Sequence, residues 1–306
     1  MSKPLPRLPS VRDLIKLYGL SAKSQLSQNF ILDKNITDKI ARCADINPAQ
    51  AAVIEVGPGP GLLTRSLLDL GVQRMVVVEK DARFLPTLHQ LADAAGGRLK
   101  VIHGDMLRVK HDQLLELLGQ TPARSVDQDV RFHLVGNLPF SVATPLLAQW
   151  LNHLSQKSGI FANPDTSMTL MFQDEVAQRI VAPVATSPRG RLSIAAQSLC
   201  HTHIAYPLSA SVFVPQPKVN AAVVGLTPLR EPLLKVPFSQ LEHVTRFLFS
   251  SRRKTLRRTI KNLDPQYLPL IDQCGIDANL RAQDLTTEEF NTFAEVLMQA
   301  KVPLPP

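Results

Sequence analysis

With 306 residues, 44% of them hydrophobic and 20% charged, the chain has apolar sequence enough for one large domain and a smaller one. It contains no uninterrupted apolar stretch of roughly 18 residues, which argues against a transmembrane helix and a membrane partner. Its three cysteines, Cys43, Cys200 and Cys274, are too far apart for a disulfide framework or a C-x-x-C metal motif, and its net charge of +8 points to a polyanionic partner.

The chain opens on a basic arm, residues 1–24, in which Lys3, Arg7, Arg12, Lys16 and Lys23 face one acid, Asp13. That bias suits a mitochondrial presequence and equally suits an arm kept on the mature protein. The prolines at 4, 6 and 9 would interrupt a targeting helix. From about residue 50 to 225, short β-branched runs alternate with helical stretches. "AAVIEVG", "RMVVVEK", "LKVIHGD" and "RFHLVGN" are near-continuous apolar strands of the kind buried on both faces of a parallel sheet. "LLTRSLLDLG" and "RFLPTLHQLADAAGG" read as the crossover helices between them, each closed by glycine. This order predicts an α/β fold with a doubly wound, mostly parallel sheet. "SMTLMF", "QSLCHTHIAYPL" and "NAAVVGLTPL" read as its closing strands.

"EVGPGPG", residues 55–61, follows the first of these strands and opens a helix, the place where such sheets bind nucleotides. A dinucleotide fingerprint would need glycine where Leu62 stands, and Pro58 and Pro60 lack the N–H groups that a pyrophosphate uses. A dehydrogenase is disfavoured on both counts. S-adenosylmethionine, a nucleoside with a cationic sulfonium, needs close backbone approach without an anion cradle. Glu79, ending the next strand, can accept from both ribose hydroxyls, and Asp105, ending the one after, can accept the exocyclic amine of adenine.

"LVGNLPFS", residues 134–141, ends a strand without a charge. The exocyclic amine of a nucleobase is a poor nucleophile because its lone pair is conjugated into the ring. If the side-chain oxygen of Asn137 and a carbonyl near Leu138 accept its two hydrogens, the nitrogen can pyramidalise, and the same oxygens stabilise the charge that builds there. Pro139 fixes the turn, and Phe140 offers a face on which an extruded base can stack. "CHTH" at 200–203 puts Cys200, His201 and His203 on different faces of a strand, so no metal site is expected. From about residue 231 the sequence is helical and charged. There Arg252, Arg253, Lys254, Arg257, Arg258 and Lys261 crowd one segment of helical character, and Leu248, Phe249, Leu256, Ile260 and Leu263 form a stripe that docks it.

Seven motifs in order, "QLSQNFILD" (25–33), "EVGPGPG", "VVVEKD", "HGDM", "GNLPFS", "FVPQPKV" (213–219) and "SSRRKTLRR" (251–258), resemble those of the rRNA adenine N6,N6-dimethyltransferases. Pro60, Phe140 and the long segment before "MTLMF" resemble the mitochondrial branch. The resemblance implies a class I S-adenosylmethionine-dependent methyltransferase domain over residues 25–230 and a small all-helical RNA-binding domain over 231–306. It implies dimethylation of two adjacent adenines in the 3′-terminal hairpin loop of 12S-type small-subunit rRNA, on free rRNA or a partly assembled small subunit, by a monomer in the mitochondrial matrix. It places Gln28, Asn29 and Ile31 at the methionine end of the cofactor, Gly57 and Gly59 along its backbone-facing side, Glu79 and Lys80 at the ribose, and Asp105 and Met106 at the adenine. Asn137 and Phe140 would hold the target base, with Phe213 as a second aromatic wall, and the basic segment would grip rRNA phosphates. Ile31 departs from the leucine usual in the family. The alternatives are a mitochondrial transcription initiation factor using the same basic surface, and a large-subunit rRNA adenine methyltransferase.

Overall fold

The computed structural model describes residues 4–20, 28–120 and 130–300; Lys3 and Lys23 of the basic arm and residues 25–27 of the first motif lie outside the described residues. In chain order the elements are α1 (Val11–Leu17), β1 (Phe30–Ile31), α2 (Lys34–Cys43), β2 (Ala51–Val56), α3 (Leu62–Asp69), β3 (Arg74–Glu79), α4 (Leu85–Ala94), β4 (Leu99–His103), α5 (His111–Leu117), β5 (Arg131–Gly136), α6 (Phe140–Ser155), β6 (Ser167–Gln173), α7 (Asp174–Val181), α8 (Arg191–Gln197), β7 (Cys200–Leu208), β8 (Phe213–Val214), β9 (Ala221–Pro228), α9 (Phe238–Leu248), α10 (Leu256–Leu263), α11 (Leu268–Gln273) and α12 (Thr287–Gln299). They form two compact units. The first runs to Trp150 and takes in 157–177 and 203–227, and the second holds 151–156, 178–202 and the chain from Pro228. The chain thus enters the second unit over 178–202 as well as near the boundary expected at residue 231.

The first unit is built on a seven-stranded sheet ordered β4-β3-β2-β5-β6-β9-β7. Strands β4 through β6 run parallel to their neighbours and β9 is antiparallel to β6. Every residue of β2 is buried, as are five of six in β3 and β5, because helices cover both faces. Strand β4 is different: Lys100 and His103 are exposed, since it forms the sheet edge and needs no continuous apolar run. The crossover helices α3 and α4 both end before a glycine at positive φ, Gly71 and Gly96. "QSLCHTHIAYPL" becomes a strand only from Cys200, with Gln197 ending α8. Within that strand Cys200 is buried while His201 and His203 are exposed, and the His203 ring packs over Gly225, where a Cβ would collide with it.

Strand order reverses between β2 and β5, so the loops after β2, β3, β4 and β5 meet at one crevice. A separate two-stranded sheet pairs Phe30 with Val214 and Ile31 with Phe213. The described part of the basic arm is packed: Ser10 caps α1, Val11 and Leu14 are buried, Arg65 donates to the Pro9 carbonyl at 2.7 Å, and Leu20 packs on Phe84 and Leu88.

The second unit has its own core, from Ile194 of α8 to Leu297 of α12. Inside it lies Arg189, fully buried, donating to the carbonyls of Ala182 (3.0 Å) and Leu285 (3.3 Å), to Gln197 Oε1 (2.9 Å) and to Thr287 Oγ1 (3.0 Å). A buried guanidinium persists only with its donors satisfied in this way.

Candidate active site

The loop after β2 is shaped by its glycines. Gly57, Gly59 and Gly61 have φ of 68°, 53° and 83°, a region L-residues rarely adopt. A Cβ on Gly59 would also stand 3.0 Å from the ring of Phe30, which roofs the loop. The loop's N–H groups are all engaged: Gly57 donates to the Val78 carbonyl (3.0 Å), Gly59 to Glu79 Oε2 (2.9 Å) and Gly61 to the Pro58 carbonyl (2.9 Å), and the two prolines have none. The loop therefore holds its own conformation and offers no donor to a phosphate.

Two carboxylates are buried beside it. Glu79 is 5% exposed and accepts from the main-chain N–H groups of Gly59 and Asp81 (2.7 Å); burial raises its pKa. Glu55, 1% exposed on β2, accepts from Thr64 Oγ1 at 2.6 Å, and burial, with the charge of Glu79 adding to it, pushes its carboxyl up to about 8. A cavity of about 700 Å³ touches both, along with Gln28, Asn29, Ile31, the glycine loop, Asn137 and Phe140. A second, of about 740 Å³, shares Gln28, Gly57, Glu79 and Pro139 with it and reaches Lys80, Asp105, Met106 and Ser141. The two cavities adjoin at these shared residues, with the buried Glu79 carboxyl between them, a fit for a nucleoside ligand that carries its positive charge near its centre.

Asp105 accepts from the Leu107 N–H at 3.1 Å and pairs with Lys80 at 2.8 Å, while Met106 is buried beside it. Lys80 is 62% exposed, so the pair lies at the open end of the cleft. At the end of β5, Gly136 lets two strands meet, since a Cβ there would stand 2.8 Å from the Val56 carbonyl. Asn137 Nδ2 donates to the Asn29 carbonyl at 2.9 Å. A carbonyl can accept only from the nitrogen end, so this bond fixes the amide's orientation and turns Oδ1 away from Asn29. The Pro139 carbonyl is taken up by Val142 and Ala143 at the start of α6, which leaves Leu138 as the last carbonyl before the helical ladder.

Phe140 is half-buried and lines the cleft, but Phe213 does not. At 2% exposure Phe213 belongs to an apolar cluster with Ile31, against which Phe140 packs, because strand pairing sets it opposite Ile31. In the second unit the basic segment is not one helix. Phe249–Ser251 is a 3-10 turn, residues 252–255 are a connection, and α10 starts at Leu256 with Thr255 as its cap. Arg252 donates to the carbonyls of Ser187 (2.7 Å) and Arg189 (2.9 Å), so it ties two segments of its unit together; Arg253, Lys254, Arg257, Arg258 and Lys261 are exposed. Leu248, Phe249, Leu256 and Ile260 are buried as the stripe requires, whereas Leu263, in the last turn of α10, is 51% exposed.

Sequence reasoning missed Glu55, Thr64 and Asp81. Glu55 had a readable signal, a lone charge in a strand otherwise buried on both faces. It carries a prediction with a definite sign. Its folded pKa of about 8 lies above the ordinary 4.5, so its contribution to stability is complete below pH 4.5 and lost as pH rises through 8. Glu55→Gln is expected to leave thermal stability unchanged at pH 4 and to raise that of the free protein at pH 8, by an amount on the order of a few kcal/mol. Above pH 8, where Glu55 is ionised, the same change is expected to weaken binding of a cationic ligand. Denaturant melts at both pH values check the first expectation and calorimetry the second.

The Ribosomal RNA adenine dimethylase family matches residues 19–299. The mitochondrial dimethyladenosine transferase 1 of Bos taurus is 44% identical over 299 residues, 95% of this chain and 86% of that protein. The Homo sapiens dimethyladenosine transferase 1, mitochondrial, is 42% identical over 298 residues, 95% and 85% of the two chains. Among solved structures, a dimethyladenosine transferase from Plasmodium falciparum superposes with a TM-score of 0.70 at 22% identity, covering 89% of this chain and 98% of that one. The 23S rRNA methyltransferase ErmE superposes with a TM-score of 0.62 at 22% identity, over 89% and 100%.

Proposed function

The chain belongs to the ribosomal RNA adenine dimethylase family, S-adenosylmethionine-dependent enzymes that methylate adenine in rRNA, and from that premise we propose that it dimethylates N6 of two adjacent adenines in the 3′-terminal hairpin loop of mitochondrial small-subunit rRNA. The observation that carries this reading is the Asn137 amide, fixed by the Asn29 carbonyl at a cleft lined by buried carboxylates. Bound S-adenosylmethionine supplies an electrophilic methyl carbon on a cationic sulfur. Glu79, and Glu55 where it is ionised, give the cation a buried acidic lining, and Glu79 has lone pairs left to accept from the ribose. Asp105 and Met106 border the adenine end.

Asn137 Oδ1 and the Leu138 carbonyl accept the two hydrogens of the target amine and let its nitrogen pyramidalise. With S-adenosylmethionine bound, the nitrogen so prepared would be the nucleophile toward the methyl carbon, and the sulfur would leave with the bonding electron pair. The charge that builds on nitrogen is stabilised by the same two oxygens, and its proton passes to solvent. Phe140 offers the flipped base a ring to stack on. Neutral oxygens suffice for every one of these tasks.

The mitochondrial names of the relatives support a mitochondrial location; we place the enzyme in the matrix, as a monomer that acts on a partly assembled small subunit. Arg253, Lys254, Arg257, Arg258 and Lys261 would contact rRNA phosphates. Replacing Arg257 and Arg258 with alanine is expected to weaken RNA binding at low salt and flatten the slope of log affinity against log salt by about 0.7–0.9 for each phosphate no longer neutralised. Cofactor affinity should not move, and filter binding across a salt series reads both slopes. The substrate itself is tested by incubating the protein with labelled S-adenosylmethionine and a mixture of undermethylated small subunits and large-subunit rRNA. Label in the 3′-terminal hairpin is expected, and label in the large-subunit RNA would overturn the assignment.

A further inference from the structure

The Asp81 carboxylate lies two residues past Glu79 and is bound on several sides. Arg83 donates to it from Nε (2.9 and 3.1 Å) and from Nη2 (2.6 Å), and Gln28 Nε2 donates to its Oδ2 at 3.0 Å. It is 7% exposed, and the Arg83 guanidinium holds its carboxyl down at about 2, so it is ionised at any working pH. Arg83 also reaches Gln28 Oε1 at 3.4 Å, which closes a three-residue ring. Gln28 borders both cavities. The residue after Gln28 is Asn29, whose carbonyl orients the Asn137 amide. One continuous path therefore runs from Arg83 through Asp81 and Gln28 to the carbonyl that holds Asn137.

We propose that Asp81 is a positioning residue for methyl transfer: by anchoring Gln28 it fixes the main chain at Asn29 and so the orientation of the Asn137 amide at the base pocket. The physical basis is that, among the described residues, the strand pairing next to Asn29 is two residues long, at β1. A two-residue strand does not by itself fix a carbonyl to the few tenths of an ångström on which an oriented acceptor depends. A charge-assisted bond to a buried carboxylate does so better than a neutral one. The inference rests on the role given to Asn137 under the proposed function.

Asp81→Asn tests it. An amide offers one acceptor oxygen, so it cannot serve Gln28 and both arms of Arg83 together, whereas the main-chain N–H that Asp81 gives to Glu79 survives the change. Because Gln28 borders the cleft, affinity for S-adenosylmethionine is expected to fall, and the single-turnover rate at saturating S-adenosylmethionine and RNA, where occupancy no longer limits, to fall about 10-fold or more. On the ligand-free protein, the side-chain amide resonances of 15N-labelled Asn137, assigned by their loss in Asn137→Ala, are expected to move toward those of a solvent-exposed amide. Unchanged resonances, or a normal rate once both ligands saturate, would overturn the proposal. Arg83→Gln, which removes the anchor from a more exposed position, keeps the test decisive should Asp81→Asn fail to fold. It is expected to shift the same resonances in the same direction. If instead Asn137→Ala retained a normal rate, the reading of Asn137 would fail while the resonance test of Asp81 as its anchor still stood.

Discussion

Asn137→Ala is expected to lower the single-turnover methyl-transfer rate at saturating RNA by on the order of 100-fold or more, the scale on which removal of one oriented hydrogen-bonding group from a transition state is felt. Affinity for S-adenosylmethionine should be nearly unchanged. The two readouts separate because, in the proposed mechanism, Asn137 Oδ1 interacts most strongly with charge that exists only while the methyl group is in transit. Asn137→Asp is the informative companion. A carboxylate there would lose the donor that satisfies the Asn29 carbonyl, so the side chain would be released from the position that Nδ2 now secures at 2.9 Å. Its greater charge should therefore not restore the rate. Stopped-time assays on the hairpin with calorimetry on the free proteins decide the matter.

Glu79→Ala is expected to weaken S-adenosylmethionine binding by roughly 1.5–3 kcal/mol for the charge-assisted hydrogen bonds lost to the ligand. The structure adds a second cost. The Glu79 carboxylate accepts from the N–H groups of Gly59 and Asp81, so the truncation leaves two buried donors without partners, at about 1–3 kcal/mol each. The loop conformation and the binding site are thus lost together, and the variant should melt earlier even without ligand. Glu79→Gln, which keeps one acceptor oxygen, should fall between wild type and alanine in both measurements. If alanine bound the cofactor as tightly as wild type, Glu79 would be an anchor of the loop alone.

The alternation of strands with crossover helices, and the placing of site residues at the ends of successive strands, were legible because hydrophobic periodicity and glycine placement are local signals; the order of the strands in the sheet was not. The edge position of β4 was not, since Leu99, Val101 and Ile102 supply the same apolar residues at an edge as in the middle of a sheet. The phosphate-excluding character of the glycine loop could be argued from Pro58 and Pro60, but the engagement of its three remaining N–H groups needed the fold. Phe213 is the opposite case. Its aromatic character suited a wall of the base pocket, and only the pairing with Ile31 places it in the core. Arg252 shows the limit for charge: a basic run marks a surface, yet one of its members can be drawn off to two carbonyls 63 and 65 residues away.

In the proposed mechanism neutral oxygens, not a titrating base, prepare the amine. The single-turnover rate at saturating S-adenosylmethionine and RNA from pH 6.5 to 9 separates the two. Glu55, the buried carboxyl in the cleft with a pKa pushed into this range, to about 8, is the group whose ionisation a base mechanism would use. A rate that is flat across the window is the predicted result. A log rate that climbs with unit slope within the window, and loses that dependence in Glu55→Gln, would overturn it.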